Sequence, residues 1–157
     1  LCASDTVLVI GSGVQQILLA LKNKTLGGFI LAAHQEAERL ASICIGAFLL
    51  ARAGILHNKK VATHWAACKE LAQHYPEIQV EADALYVQDG KVWTSAGIST
   101  GIDMALAMLE QDHGAKCMAE VAKRLVIYAR RPGYQSQFSS VLQAQGAADG
   151  AFSDLVL

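Results

Sequence analysis

Leu40-Ala41-Ser42-Ile43-Cys44-Ile45-Gly46-Ala47-Phe48-Leu49-Leu50-Ala51-Arg52-Ala53-Gly54 is the stretch that decides the fold. Leu40 to Ile43 is a short apolar run that suits a buried strand, and Gly46 to Ala53 suits a helix. A strand therefore turns into a helix around Cys44. Gly54 stands where a left-handed residue closes a helix, with Ile55 placed to fold back on the last turn.

The same alternation continues outward. On the N-terminal side, Thr6-Val7-Leu8-Val9-Ile10 is a β-branched run, read as a buried strand, that ends on Gly11-Ser12-Gly13, a tight turn. Helices are expected over Val14 to Leu21 and Leu26 to Arg39, separated by the polar break Lys22-Asn23-Lys24. On the C-terminal side, Val61-Ala62 is a brief strand. Thr63 is placed as the N-cap of a helix from His64 to Tyr75, which Pro76 closes. Ile78-Gln79-Val80 and Leu85-Tyr86-Val87 read as strands, and Asp89-Gly90 as a hairpin turn returning through Lys91-Val92-Trp93-Thr94. Ser95 to Ser99 leads into a helix from Gly101 to Asp112, with Thr100 and Asp103 at capping positions. The last helix is expected from Ala115 to Arg131, where Met118, Val121, Ala122, Leu125, Val126 and Ala129 repeat at helical spacing. Strands separated by helices imply an α/β fold of three layers with a mostly parallel sheet, and the Leu85–Thr94 hairpin adds an antiparallel edge. Ligands of such sheets bind beyond the carboxyl ends of the strands. Three small-residue turns fall there: Gly11-Ser12-Gly13, Cys44-Ile45-Gly46 and Ala96-Gly97-Ile98-Ser99.

Composition narrows the function classes. The chain has 157 residues, 53% of them apolar, with Lys plus Arg at 13 and Asp plus Glu at 14. One domain with an ample core is expected, and a net charge of −1 offers no bulk attraction for nucleic acid or an anionic membrane. The apolar run around Ile43 to Ala51 is far shorter than the roughly 20 residues of a membrane span, so a soluble chain is expected. Cys2, Cys44, Cys68 and Cys117 lie far apart without metal spacing, which suits a reducing cytoplasm and no bound metal. The edges of the chain, Leu1 onward and up to Leu157, read as those of a fragment. Beyond Gln135 the sequence turns rich in Gln, Ser, Ala and Gly, as a linker does.

Cys44 is the sharpest chemical feature. A thiol on a strand-to-helix turn has the geometry of a nucleophile elbow, and a helix N-terminus favours its thiolate. The other reading is a small buried cysteine that packs. Cys68 and Cys117 read as packing residues. The amides of Gly11, Ser12 and Gly13 could face an oxyanion across from the thiol, or simply make a turn. His64 is the histidine best placed for a base, its alternative being a first-turn residue packed beside Trp65. Asp103 reads as a helix cap, and Arg130-Arg131 with Lys123-Arg124 as charges complementing a helix C-terminus. No strand of the chain offers a carboxylate beside Cys44.

Ser42-Ile43-Cys44-Ile45-Gly46-Ala47-Phe48, Ala53-Gly54-Ile55-Leu56 and Ala62-Thr63-His64-Trp65 together resemble the ThiJ/PfpI superfamily. Tyr75-Pro76, Val92-Trp93-Thr94-Ser95-Ala96-Gly97, Gly101-Ile102-Asp103 and the tail Arg130-Arg131-Pro132-Gly133-Tyr134-Gln135-Ser136-Gln137-Phe138 are similar to its branch fused to AraC-type transcriptional regulators. The resemblance covers roughly residues 5–140. It implies a flavodoxin-like, class I glutamine-amidotransferase-like sheet, truncated at the N-terminus. It also implies a sensor domain over residues 1–138 and a linker over 139–157 toward a helix-turn-helix domain outside this chain.

Carried over, Cys44 is the elbow cysteine and Gly11-Ser12-Gly13 the oxyanion turn, with Ile45, Gly97 and Ile98 completing a ligand site. The chain departs from the pattern in two ways: the strands with the acidic partner of the cysteine are expected upstream of Leu1, and Ile45 replaces the Thr of hydratase-like relatives. The expected function is ligand sensing and dimerisation in a cytoplasmic transcriptional regulator. It takes an unknown small-molecule effector, no cofactor, and DNA only through the absent domain. The alternative is a cysteine-dependent hydratase or amidase-like hydrolase, in which Cys44 attacks, the Gly11 and Gly13 amides hold the oxyanion and a carboxylate upstream of Leu1 assists; an inert dimerisation scaffold is the third reading.

Overall fold

The computed structural model describes residues 2–3 and 5–137. Strand β1 (Thr6–Ile10) leads through the glycine turn into α1 (Val14–Ala20) and α2 (Lys24–Glu36). Strand β2 (Arg39–Ile43) passes through a 3-10 turn, Cys44–Gly46, into α3 (Ala47–Arg52). Strand β3 (Lys60–Val61), a second 3-10 turn (Trp65–Ala67), α4 (Cys68–His74) and β4 (Gln79–Val80) follow. Strands β5 (Tyr86–Asp89) and β6 (Val92–Ser95) precede the long α5 (Ile98–Arg124).

The main sheet runs β1-β2-β6-β5, with β1, β2 and β6 parallel and β5 antiparallel at the edge. Strand β1 is the other edge and is not the buried strand expected: with only β2 beside it among the described residues, Leu8 and Ile10 are left exposed. Of the expected hairpin, then, only β5 is an edge; β6 lies inside, between β2 and β5. A parallel pair, β3 and β4, is tied to this sheet by hydrogen bonds from the β3 segment. Ala62 N–H donates to Thr94 Oγ1 at 2.8 Å, and Lys60 N–H to the Asp89 carboxylate at 3.0 Å.

Successive side chains of a strand face opposite ways, and the sheet accordingly builds two cores. Leu40 and Val92 point toward Ile30, Leu50, Leu56 and Leu71 on one side. Ala41 and Trp93 point toward Met104, Ala107 and Met108 of α5 on the other. Leu40 and Ala41 are both fully buried, as expected of a strand covered on both faces. The result is the three-layer α/β arrangement.

Several boundaries differ from expectation for identifiable reasons. Helix α2 starts earlier because the Asn23 side chain caps it, accepting from Leu26 N–H at 3.1 Å. The hairpin loop is Gly90-Lys91, with Gly90 left-handed (φ 64°) in the first central place, where type II′ turns take glycine. Gly54 (φ 76°) closes α3 as expected: its N–H reaches Ala51 C=O, and Ile55 N–H reaches Leu50 C=O.

The expected break between Asp112 and Ala115 is present as a kink at Gly114, whose angles are non-helical (φ 80°, ψ 165°), but the helix beyond it stops at Arg124 rather than Arg131. There Val126 takes a left-handed φ of 58° and reproduces the same closing pair of bonds to Lys123 and Ala122, without a glycine. Arg130 and Arg131 therefore lie beyond the helix and turn back along α5. Arg130 pairs with Glu110 and Arg131 with Asp103. Residues 138–157, including the expected linker, lie outside the described residues.

Candidate functional site

The register aligns Ile10, Ile43 and Ser95, so β1, β2 and β6 end side by side and release their three small-residue turns at one edge. Cys44 is the first residue after β2 and takes φ 58°, a left-handed conformation that side chains other than glycine rarely adopt. Half-buried, it opens the 3-10 turn that enters α3. The thiol thus stands on a strained strand-to-helix turn.

Two glycines make this turn possible. A Cβ on Gly46 would lie 2.4 Å from the Val9 carbonyl oxygen and 3.1 Å from Gly11 N. A Cβ on Gly11 would lie 2.9 Å from both Ile43 O and Ile45 N. The end of β1 and the elbow are in backbone contact, and Gly11 N–H donates to Ile43 C=O at 2.9 Å. That amide is committed to the protein itself. Ser12 and Gly13 are exposed beside it, with Gly13 opening α1.

Thr63 holds the elbow from the other side. It is fully buried, and its hydroxyl donates to the Cys44 carbonyl at 3.0 Å. It is not the helix cap expected from sequence. That role belongs to His64, whose Nδ1 accepts from Ala66 N–H at 3.3 Å while its ring tilts against Trp65 at 5.3 Å. His64 follows Thr63 at the elbow's edge of the sheet, and among the described residues no hydrogen bond joins its ring to the Cys44 thiol.

Gly97 opens α5, and its N–H donates to Thr100 Oγ1 at 2.6 Å. Ile98 is 84% exposed. Gly101, one turn on, packs against Ile43, which ties α5 to the same edge. Ile45 also lines a mostly apolar hollow of about 470 Å³, together with Val14, Phe48, Tyr75, Glu70 and His74. Among the described residues no three His, Cys, Asp or Glu side chains come together as a metal-ligand set, and no helix is long and apolar enough to cross a membrane.

Asp103 is a correction. Rather than capping α5, it is buried and accepts three bonds from Arg131: the backbone N–H at 3.0 Å, Nε at 2.9 Å and a terminal guanidinium nitrogen at 2.7 Å. Cys68 is buried as expected. Burial pushes its thiol above the usual range, and the charge of Asp83 adds to the shift. Cys117 is half-buried on α5.

Sequence reasoning missed Thr63 as an elbow support, and Gln137, whose side chain reaches Thr63 C=O at 3.1 Å. Neither contact leaves a periodic signal.

Residues 2–111 match the DJ-1/PfpI family. Among curated proteins, the HTH-type transcriptional regulator CdhR of Pseudomonas aeruginosa is 31% identical over 110 residues, covering 70% of this chain and 32% of its own. Isonitrile hydratase of Pseudomonas putida is 32% identical over 108 residues, covering 69% of this chain and 46% of its own. The chain spans less than half of the length of these relatives. A solved AraC family transcriptional regulator from Pseudomonas putida superposes with a TM-score of 0.59 at 20% identity, over 75% of this chain and 62% of that one. That likeness supports the fold.

Proposed function

The chain belongs to the DJ-1/PfpI family, and from that premise we propose that residues 1–138 form the effector-sensing and dimerisation domain of an AraC-type transcriptional regulator. In this reading a small molecule occupies the edge around Cys44, bounded by Ser12, Gly13, Ile45, Gly97 and Ile98. The likeness to an HTH-type regulator over 70% of the chain carries it. The apolar hollow beside Ile45 supports an effector with an apolar part. The near-neutral charge fits a protein that touches DNA through another domain, joined by residues 139–157. The regulator acts in the cytoplasm as a homodimer.

The coding sequence beyond Leu157 tests this directly. A helix-turn-helix domain there supports the reading, and its absence ends it. Sedimentation of the full-length protein at micromolar concentration tests the dimer.

The left-handed Cys44 and the 32% identity to isonitrile hydratase favour a second reading, a cysteine-dependent hydratase. It predicts that an alkyl isonitrile and water give the N-alkylformamide, and that Cys44→Ala abolishes the turnover. No formamide from the full-length protein would remove it.

A further inference from the structure

Residues 131–137, the last of the described chain, are bonded through one residue to the backbone of the elbow. They cross the loop before β5. Gly133 C=O accepts from Leu85 N–H at 2.7 Å, Gln137 N–H donates to Asp83 C=O at 2.9 Å, and Ala84 and Ser136 pair as an antiparallel bridge. Arg131 fixes the near end on the buried Asp103. Gln137 fixes the far end, its Nε2 lying 2.8 Å from Ala82 O, 3.1 Å from Ala84 O and 3.1 Å from Thr63 O.

A carboxamide nitrogen carries two protons. Three acceptors compete for them, so a small movement of any acceptor redistributes the bonds. Thr63 is the acceptor that leads elsewhere. Fully buried, it receives Gln137 and, at 3.8 Å, the Cys68 thiol on its carbonyl, and it donates its own hydroxyl proton to the carbonyl of Cys44. Cys44 is held left-handed at φ 58°, so its backbone is under strain.

We propose that Thr63 couples the elbow to the segment 131–137. A ligand or adduct on the Cys44 thiol turns the Cys44 carbonyl, weakens the Thr63 hydroxyl bond, moves the Thr63 carbonyl and releases Gln137, loosening residues 131–137 toward whatever follows them. This regulation rests on the reading of Cys44 as the sensing position. Coupling free energies are reciprocal, so loosening Gln137 must also alter the elbow.

The test uses the full-length protein with Cys2→Ser and Cys117→Ser, leaving the buried Cys68 and the elbow thiol, and iodoacetamide as the probe. The Cys44 thiolate displaces iodide and becomes the S-carboxamidomethyl adduct, while iodide leaves with the electron pair. Amide hydrogen exchange at Leu85 and Gln137 reads that segment. Alkylation is expected to accelerate it about fivefold, the equivalent of about 1 kcal/mol or one neutral hydrogen bond. Thr63→Val, which keeps shape and loses the hydroxyl, abolishes that response, and Thr63→Ser retains it. In the reverse direction, Gln137→Ala, a half-buried surface change that spares the core, alters the rate of Cys44 alkylation.

An unchanged alkylation rate in Gln137→Ala overturns the coupling, as does a full response in Thr63→Val. If both variants behave as expected while no effector protects Cys44, the coupling stands and the sensor reading falls.

Discussion

Gly46→Ala places the proposed elbow under the most direct structural test. The added Cβ would sit 2.4 Å from Val9 O, 3.2 Å from Val9 C and 3.1 Å from Gly11 N. All three neighbours are backbone atoms, so no side chain can rotate aside. To restore ordinary contact, β1 must withdraw from the elbow by about 1 Å. That displacement would break the 2.9 Å bond from Gly11 N–H to Ile43 C=O. Overpacking a tight site costs about 1–3 kcal/mol, and the lost bond adds about 1 kcal/mol, so a total of about 2–4 kcal/mol is expected. At about 2 kcal/mol per molar, within the urea range for small proteins, the unfolding midpoint should fall by about 1–2 M.

Gly28→Ala in α2 is the control. Its Cβ meets nothing within 4 Å, and replacing an exposed helical glycine should raise stability by about 0.5–1 kcal/mol. If Gly46→Ala unfolds within about 0.5 kcal/mol of the wild type, the end of β1 does not clasp the elbow as described. The role assigned to Gly46 would then be abandoned.

Asp103→Asn removes the charge that faces Arg131 in a nearly buried position, its side chain only 5% exposed. Because Arg131 itself keeps some contact with water, the loss should be about 2 kcal/mol, below that of a fully buried pair. It should appear first as faster exchange at Leu85 and Gln137 rather than throughout the sheet, and uniform acceleration would count against a local clamp. Asp89 supplies a pH dependence. Its carboxylate accepts from Lys60 N–H and from Lys59, which hold its pKa below the usual carboxylate value. A depressed folded-state pKa gives stability that is complete above about pH 3.9 and drains as pH falls through the lower folded value. In thermal melts, wild type should lose more stability than Asp89→Asn as pH falls from 5 to 3; parallel losses would show that the β3–β5 tie is inert.

How far the sequence could be read follows from what kind of interaction fixed each feature. The sheet was legible because burial on both faces demands continuous apolar runs, and Leu40 to Ile43 and Val92 to Thr94 carry them in the plain order of the residues. The stop at Gly54 was legible because glycine is the residue that closes a helix without steric cost. The stop at Arg124 was not. Val126 adopts the same left-handed turn against its preference, and the helical spacing of Leu125 and Val126 concealed it. Asp103 stood three residues after Thr100 and so looked like part of a cap. Its true partner, Arg131, is distant in sequence, and no local spacing encodes an ion pair across such a gap.

The elbow divides in the same way. Cys44 and Gly46 could be found because a strand-to-helix turn is a local event. Thr63 could not, because what recruits it is the carbonyl that the left-handed Cys44 turns toward it. A hydroxyl next to His64 looked like a helix cap until the strained backbone nineteen residues earlier supplied a better acceptor. Local chemistry therefore located the reactive position, and long-range backbone geometry determined what supports it. If a signal leaves this site, the residue that conducts it belongs to the second class, which is why the exchange behaviour of Thr63 variants discriminates more sharply than any substitution of the thiol itself.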